Sequence, residues 1–168
     1  MTNPWREPLG ISNYRQTREL LTAISPYYEA DNIVTSTENL DWRGEKYQSD
    51  LVMLDEEHNI GFEVLDNEII IFYFQDHVHF EDYSSELEDG EPDYVVRAKE
   101  FLVNLFTREI RIEEYYKKNE LVRDSYYFIM PDGDEYIGGT YYKFLAAVFC
   151  KKSLQKKTRV WKFNEKNK

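Results

Sequence analysis

Two of the chain's three histidines, His77 and His79, stand two residues apart in FYFQDHVHFEDY, residues 72–83, among carboxylates and aromatic rings. On an extended strand this spacing places both imidazoles on one face. Zinc enzymes use histidine pairs in this way because both rings then reach one ion. A third ligand is required. The remaining histidine, His58, falls in a turn, so Glu63, Glu81 or Asp82 would have to complete the set. Two histidines and a cation can also run metal-free acid–base chemistry on a phosphate. No Lys or Arg lies within seventeen residues of His79, although folding can bring Arg111 or Arg123 close, and the local carboxylates repel a phosphate. The plainer alternative is that both are half-buried polar residues, hydrogen-bonded at the end of a sheet. The expectation is therefore no catalytic residue, no metal and no cofactor.

Other chemistry is weaker still. PDGDEY, residues 131–136, lacks the Asp-x-Asp-x-Asp-Gly order and the distant bidentate Glu of a calcium loop and reads as a hairpin turn. There is no phosphate-cradling glycine loop, no serine nucleophile elbow and no cysteine pair. The single cysteine, Cys150, supports neither an intrachain disulfide nor a cysteine-based zinc site, and in FLAAVFCKK it reads as a small core residue.

These side chains need a scaffold, and 168 residues with 42% hydrophobic content supply one core, so one domain is expected. Residues 1–11 carry Pro4, Pro8 and Gly10 and read as an irregular arm. Ser12 or Asn13 caps a helix over about 13–25, in which Tyr14, Thr17, Leu20, Leu21 and Ile24 recur at helical spacing until Pro26. KYQSDLVML, IGFEVL and EIIIFYFQDHVHF read as three antiparallel strands separated by DEEHN and DN. In the third, Ile70, Phe72, Phe74, Val78 and Phe80 form the core face, and Ile69, Ile71, Tyr73, Gln75, His77 and His79 the other. An acidic loop follows. A second helix over about 92–106 then opens on Pro92 and presents Tyr94, Val95, Ala98, Phe101, Leu102, Leu105 and Phe106 as one stripe, expected to lie across the sheet. REIRIEEYYK, LVRDSYYFIM and EYIGGTYYKFLAAVF read as three more strands, with KNE and PDGD as turns and Gly138-Gly139 as a bulge or bend. Residues 151–168 form a basic tail in which TRVWKF suits an edge strand. The expected fold is α+β, a single domain with a largely antiparallel sheet of about six strands and two main helices.

Charge carries the most functional information. The formal net charge is −11, and it is unevenly spread. From Tyr47 to Val96 there are fifteen Asp and Glu and no Lys or Arg; from Lys143 to Lys168 there are nine Lys and Arg and one acid, Glu165. Charge runs commonly serve solubility. Fifty residues without one cation exceed that need, repel nucleic acid and attract a basic partner. Fourteen tyrosines are first of all core and sheet residues, yet tyrosine also supplies rigid contact area at interfaces. The expected partner-binding residues are His77, His79, Glu81, Asp82, Glu86, Glu88, Asp89, Glu91 and Asp93, with Tyr73, Tyr83 and Tyr94 as aromatic anchors. The strand faces around Glu113, Tyr115 and Asp124 are a competing acidic, aromatic site. No apolar run approaches the length needed to cross a bilayer, and MTNPWREPLG lacks the basic start and apolar stretch of a signal peptide, so a cytoplasmic location is expected.

The order of elements over about 58–130 resembles that of small bacterial immunity proteins of polymorphic toxin systems, including contact-dependent growth inhibition. The residues that carry the resemblance are NEIIIFYFQDHVHF, with His77, His79 and Phe80, then the acidic loop and helix of DGEPDYVVRAKEFLVNLF, then EIRIEEYY. The resemblance implies a protein that neutralises a toxin by binding it. The partner would be a basic toxin domain, a nuclease above all, with neither nucleic acid nor membrane as a ligand. The alternatives are a small His- or metal-dependent enzyme using His77 and His79, and another acidic adaptor protein.

Overall fold

The structure is a computed structural model that describes residues 14–28, 34–40, 43–82, 93–143 and 153–163, with the backbone alone for 34–40. The elements are α1 (Arg15–Ile24), β1 (Val34–Leu40), β2 (Lys46–Asp55), β3 (Ile60–Leu65), β4 (Glu68–Tyr73), β5 (Asp76–Glu81), α2 (Tyr94–Thr107), β6 (Glu109–Lys117), β7 (Glu120–Phe128), β8 (Glu135–Gly138) and β9 (Gln155–Lys162). The fold is α+β with antiparallel strands, as the sequence leads one to expect. The strand count differs: instead of one sheet of about six strands, the described residues form a five-stranded sheet, β1-β2-β3-β4-β5, and a four-stranded sheet, β8-β7-β6-β9. The chain divides into two compact units, residues 1–103 with 165–168 and residues 104–164, so the boundary falls inside α2. Among the described residues, no helix is long and apolar enough to cross a membrane. The arm at 1–11, the caps Ser12 and Asn13, and Pro92 lie outside the described residues.

In the first unit each strand pairs with its neighbour in sequence. The third strand of the sequence reading is in fact two. β4 and β5 form a hairpin closed by Phe74 and Gln75, with Tyr73 opposite Asp76 and Ile69 opposite Phe80. This inverts the expected faces in the first half of the segment. Ile69, Ile71 and Tyr73 are fully buried, while Ile70 and Phe72 are half-buried. Across the turn the phase resets, so Val78 and Phe80 join the buried side and His77 and His79 the other. The turn contains none of the usual hairpin residues. Phe74 takes the left-handed region, φ 54°, a conformation normally left to glycine at the first position of a II′ turn. Hydrogen bonds from the β2–β3 turn hold it there. Phe74 N donates to His58 O at 2.7 Å and Asn59 Nδ2 donates to Phe74 O at 3.0 Å. Gly61 admits close backbone approach; a Cβ there would sit 2.4 Å from Val52 O.

The two helices pack by their expected stripes. α1 buries Thr17, Leu20, Leu21 and Ile24. Its N-cap residue is Tyr14, which makes no side-chain cap bond. The buried Asp50 of β2 serves that end instead, accepting hydrogen bonds from Thr17 Oγ1 at 2.7 Å and Tyr14 N at 3.3 Å, a favourable place for a negative charge. α2 buries Tyr94, Val95, Ala98, Leu102, Leu105 and Phe106, and each large side chain contributes roughly 1.5–3 kcal/mol. Phe101 stays partly exposed with its ring centroid 5.4 Å from Tyr73 and 5.7 Å from Phe80, which seats the first half of α2 on the β4–β5 hairpin.

In the second unit β6 and β7 form a hairpin around Lys118 and Asn119, both with positive φ, the signature of a I′ turn. β8 joins β7 with a register shift where Gly138 meets Tyr126, the irregularity expected of the glycine pair. Among the described residues of the expected EYIGGTYYKFLAAVF strand, Glu135–Gly138 form a strand and Tyr141 makes one bridge to Arg123; residues 144–150, Cys150 included, lie outside the described residues. The basic tail supplies β9, longer than the expected TRVWKF, as an edge strand on β6. Phe163 after it is buried with its ring 4.4 Å from Phe106.

Candidate functional site

The β4–β5 hairpin decides which side chains meet. Its register sets Glu68 opposite Glu81, Ile70 opposite His79 and Phe72 opposite His77. Glu68, His79 and Glu81 thus share one face, turned away from Ile69 and Ile71. His79 Nδ1 meets the Glu68 carboxylate at hydrogen-bond distance. The His77 and His79 rings lie 4.9 Å apart, inclined at 65°, and both residues are exposed. The expectation of half-buried histidines is corrected: among the described residues β5 is an edge strand, and both side chains are exposed on it. The donor atoms of Glu68, His79 and Glu81 fall within 4.8 Å of one another. Of Glu63, Glu81 and Asp82, which the spacing of residues suggested as the third donor, pairing of the strands brings in Glu81, and it adds Glu68, which the spacing did not suggest.

Beside this group opens a hollow of about 360 Å3, lined by Tyr47, Gln48, Leu65, Asp66, Asn67, Glu68, Glu81 and Asp82. Four of the eight residues are carboxylates. The β3–β4 turn contributes Asp66 and Asn67, and the end of β5 contributes Glu81 and Asp82. Tyr14, the N-cap residue of α1, reaches the same region. Its hydroxyl donates to Gln48 O at 2.7 Å and to Asp66 Oδ1 at 3.2 Å. Burial and the adjoining Asp66 carboxylate push the Tyr14 phenol up to about 12, so it remains a neutral donor.

The other expected contact residues divide. Tyr73 has no exposed surface, and Tyr94 is buried with its hydroxyl accepting a hydrogen bond from Gln16 Nε2 at 3.0 Å. The expectation of two aromatic anchors there is therefore corrected, since inversion of the β4 faces turns Tyr73 inward and the helix stripe carries Tyr94 with it. Asp93 is exposed and caps α2, with its Oδ1 accepting from Val95 N at 3.4 Å. Glu81 is half-buried and Asp82 exposed. Tyr83, Glu86, Glu88, Asp89 and Glu91 lie outside the described residues. Tyr47, Asp66 and Glu68 were missed by sequence reasoning. The unbroken absence of Lys and Arg already covered them, but their convergence follows from register.

The competing face in the second unit is occupied by internal partners. Glu113 is buried between Lys156 Nζ at 2.7 Å and Tyr115 Oη at 2.7 Å. Burial raises its carboxyl, and the hydrogen bonds from Lys156 and Tyr115 together with the charge of Arg111 outweigh this and hold it below the ordinary carboxylate range. Asp124, also buried, accepts from Tyr126 Oη at 2.6 Å, Tyr142 Oη at 2.8 Å and Thr140 N at 2.8 Å. Burial and this carboxylate push the Tyr142 phenol far up. Arg123 stacks 4.6 Å above the Tyr115 ring. These acids hold their own sheet together.

Comparison of the chain with protein-family models, curated proteins and solved structures finds no match in any of the three.

Proposed function

We propose that this protein acts by binding a basic protein domain, in the manner of a toxin-neutralising immunity protein, with a nuclease domain as the partner its charge suits best. The observation that carries this reading is the hollow beside the β4–β5 hairpin, where Asp66, Glu68, Glu81 and Asp82 converge. A Lys or Arg side chain entering it would gain charge-assisted hydrogen bonds to more than one carboxylate. Tyr47 at its wall and the exposed His77 and His79 beside it supply aromatic contact area. The acid-rich segment with Tyr83, Glu86, Glu88, Asp89 and Glu91 follows Asp82 directly in sequence and extends the same charge. A nuclease is basic because its substrate is a polyanion, so an acidic surface both steers the encounter and competes for the substrate site.

The test is binding of the product of the reading frame next to this gene, which the proposal expects to carry a basic toxin domain, measured against wild type and a variant carrying Glu68→Lys, Glu81→Lys and Asp82→Lys. Wild type should bind with an association rate that falls as salt is raised, and the variant should associate at least about tenfold more slowly while keeping its circular dichroism. Equal binding by the folded variant at physiological salt would overturn the hollow as the contact. No binding by wild type would overturn the immunity reading.

A further inference from the structure

We propose that Glu68, His79 and Glu81, with His77 as a fourth donor, form a zinc-binding site on the exposed face of the β4–β5 hairpin. The proposal goes beyond the binding function above and stands without it.

The backbone does the placing. Glu68 and Glu81 are direct cross-strand partners, His79 faces the residue two along from Glu68, and His77 follows His79 by one full pleat. A two-residue turn locks this register, because a slip by one residue would carry Ile69, Ile71 and Tyr73 out of the core. The three nearest donors already lie within 4.8 Å of one another. A tetrahedral zinc with bonds of about 2.0–2.2 Å needs its donors roughly 3.3–3.6 Å apart. All four side chains are partly or fully exposed and can close that gap by small torsions without moving a strand. The His77 ring centroid lies 4.9 Å from that of His79 on the same face of β5, and a side-chain rotation would bring its nitrogen to the ion as the fourth donor.

The donor set selects the metal. Two imidazoles and two carboxylates suit zinc, whereas magnesium and calcium take oxygen ligands. The contact between His79 Nδ1 and Glu68 already brings a nitrogen and an oxygen donor together. Zinc displaces protons from its ligands, so affinity falls as the solution is acidified. The site would fasten the edge strand β5 to β4 through side chains as well as through the ladder.

The experiment is calorimetric titration of zinc chloride into tag-free, chelator-treated full-length protein, with magnesium chloride as comparison. Wild type should take up one equivalent of zinc, release protons, and show a thermal midpoint that rises with zinc concentration as mass action requires. Magnesium should give no saturable uptake. His79→Ala, Glu68→Gln and Glu81→Gln should each weaken zinc binding at least about tenfold. Glu57→Gln, in the β2–β3 turn, should leave it unchanged. The proposal is overturned if wild type takes up no stoichiometric zinc. It is equally overturned if uptake survives both His79→Ala and Glu68→Gln, or if Glu57→Gln weakens it as much as they do.

Discussion

Along β6, Glu113 and Glu114 meet Lys156 and Arg159 of the neighbouring β9, at 2.7 and 3.5 Å, whereas on the β4–β5 hairpin Glu68 meets a histidine and lies opposite another glutamate. Both sheets are antiparallel and both are rich in acids and tyrosines. The difference lies in where the cations sit in the sequence. The basic C-terminal stretch becomes β9, and its register sets Lys156 opposite Tyr115 and Lys157 opposite Glu114. Lys157 also lies 4.6 Å above the Tyr116 ring, and Tyr116 donates to Glu114 at 3.0 Å. The stretch from Tyr47 to Val96 holds no such residue. Glutamate is a structural member along β6 and a surface charge on the β4–β5 hairpin, and the basic strand β9 beside β6 goes with the first role.

The comparison can be broken by removing acids one at a time, and Asp124, buried among three donors, should respond most. Asp124→Ala strands two tyrosine hydroxyls and an amide in a buried setting. The expected loss is on the order of 3 kcal/mol, read from a urea unfolding curve. An unchanged midpoint would place Asp124 among the dispensable charges and erase the contrast.

Glu113→Gln should cost less, about 1–2 kcal/mol, because the amide keeps part of the hydrogen bonding and loses the charge. The effect depends on pH in a definite direction. The folded carboxyl lies below its unfolded value, so its contribution is present above an unfolded pKa of about 4.3 and disappears as pH falls through the folded one. Wild type should therefore lose its advantage over the variant on acidification, and unfolding curves at neutral pH and in the acid range measure it. A constant difference across that range would remove the charge as the cause.

The smallest effect on stability belongs to Glu68→Gln. Its partner histidine is exposed, and exposed ion pairs contribute about 0–1 kcal/mol. A loss as large as that of Glu113→Gln would make the hairpin acids structural too.

Much of this scaffold is legible in the chain. The apolar period of α2 marks the side that is buried, the buried face of α1 reads directly from its spacing, and IGFEVL is β3 to the residue. The misses share one cause. VTSTENL has no apolar alternation, and it becomes β1 through backbone pairing with β2. Phe74-Gln75 carries no turn residue because the constraint comes from His58 and Asn59, fifteen or more residues earlier. Without that turn, Tyr73 reads as outward-facing and the meeting of Glu68 with His79 stays hidden. The histidines themselves are visible at once, since their spacing alone places them on one face.

The strand orders of the two sheets also set different entropic terms for assembly. In β1-β2-β3-β4-β5 every pairing closes only the short connection between sequence neighbours. β9 instead returns to β6 across everything from Lys117 to Gln155. Closing a longer loop costs more chain entropy, and non-local pairings are made later and more slowly. The meander can therefore zip from its own hairpins, while Glu113 spends the early part of folding without Lys156. Chain synthesis imposes the same sequence of events, because the strand that neutralises β6 is the last described strand to be made.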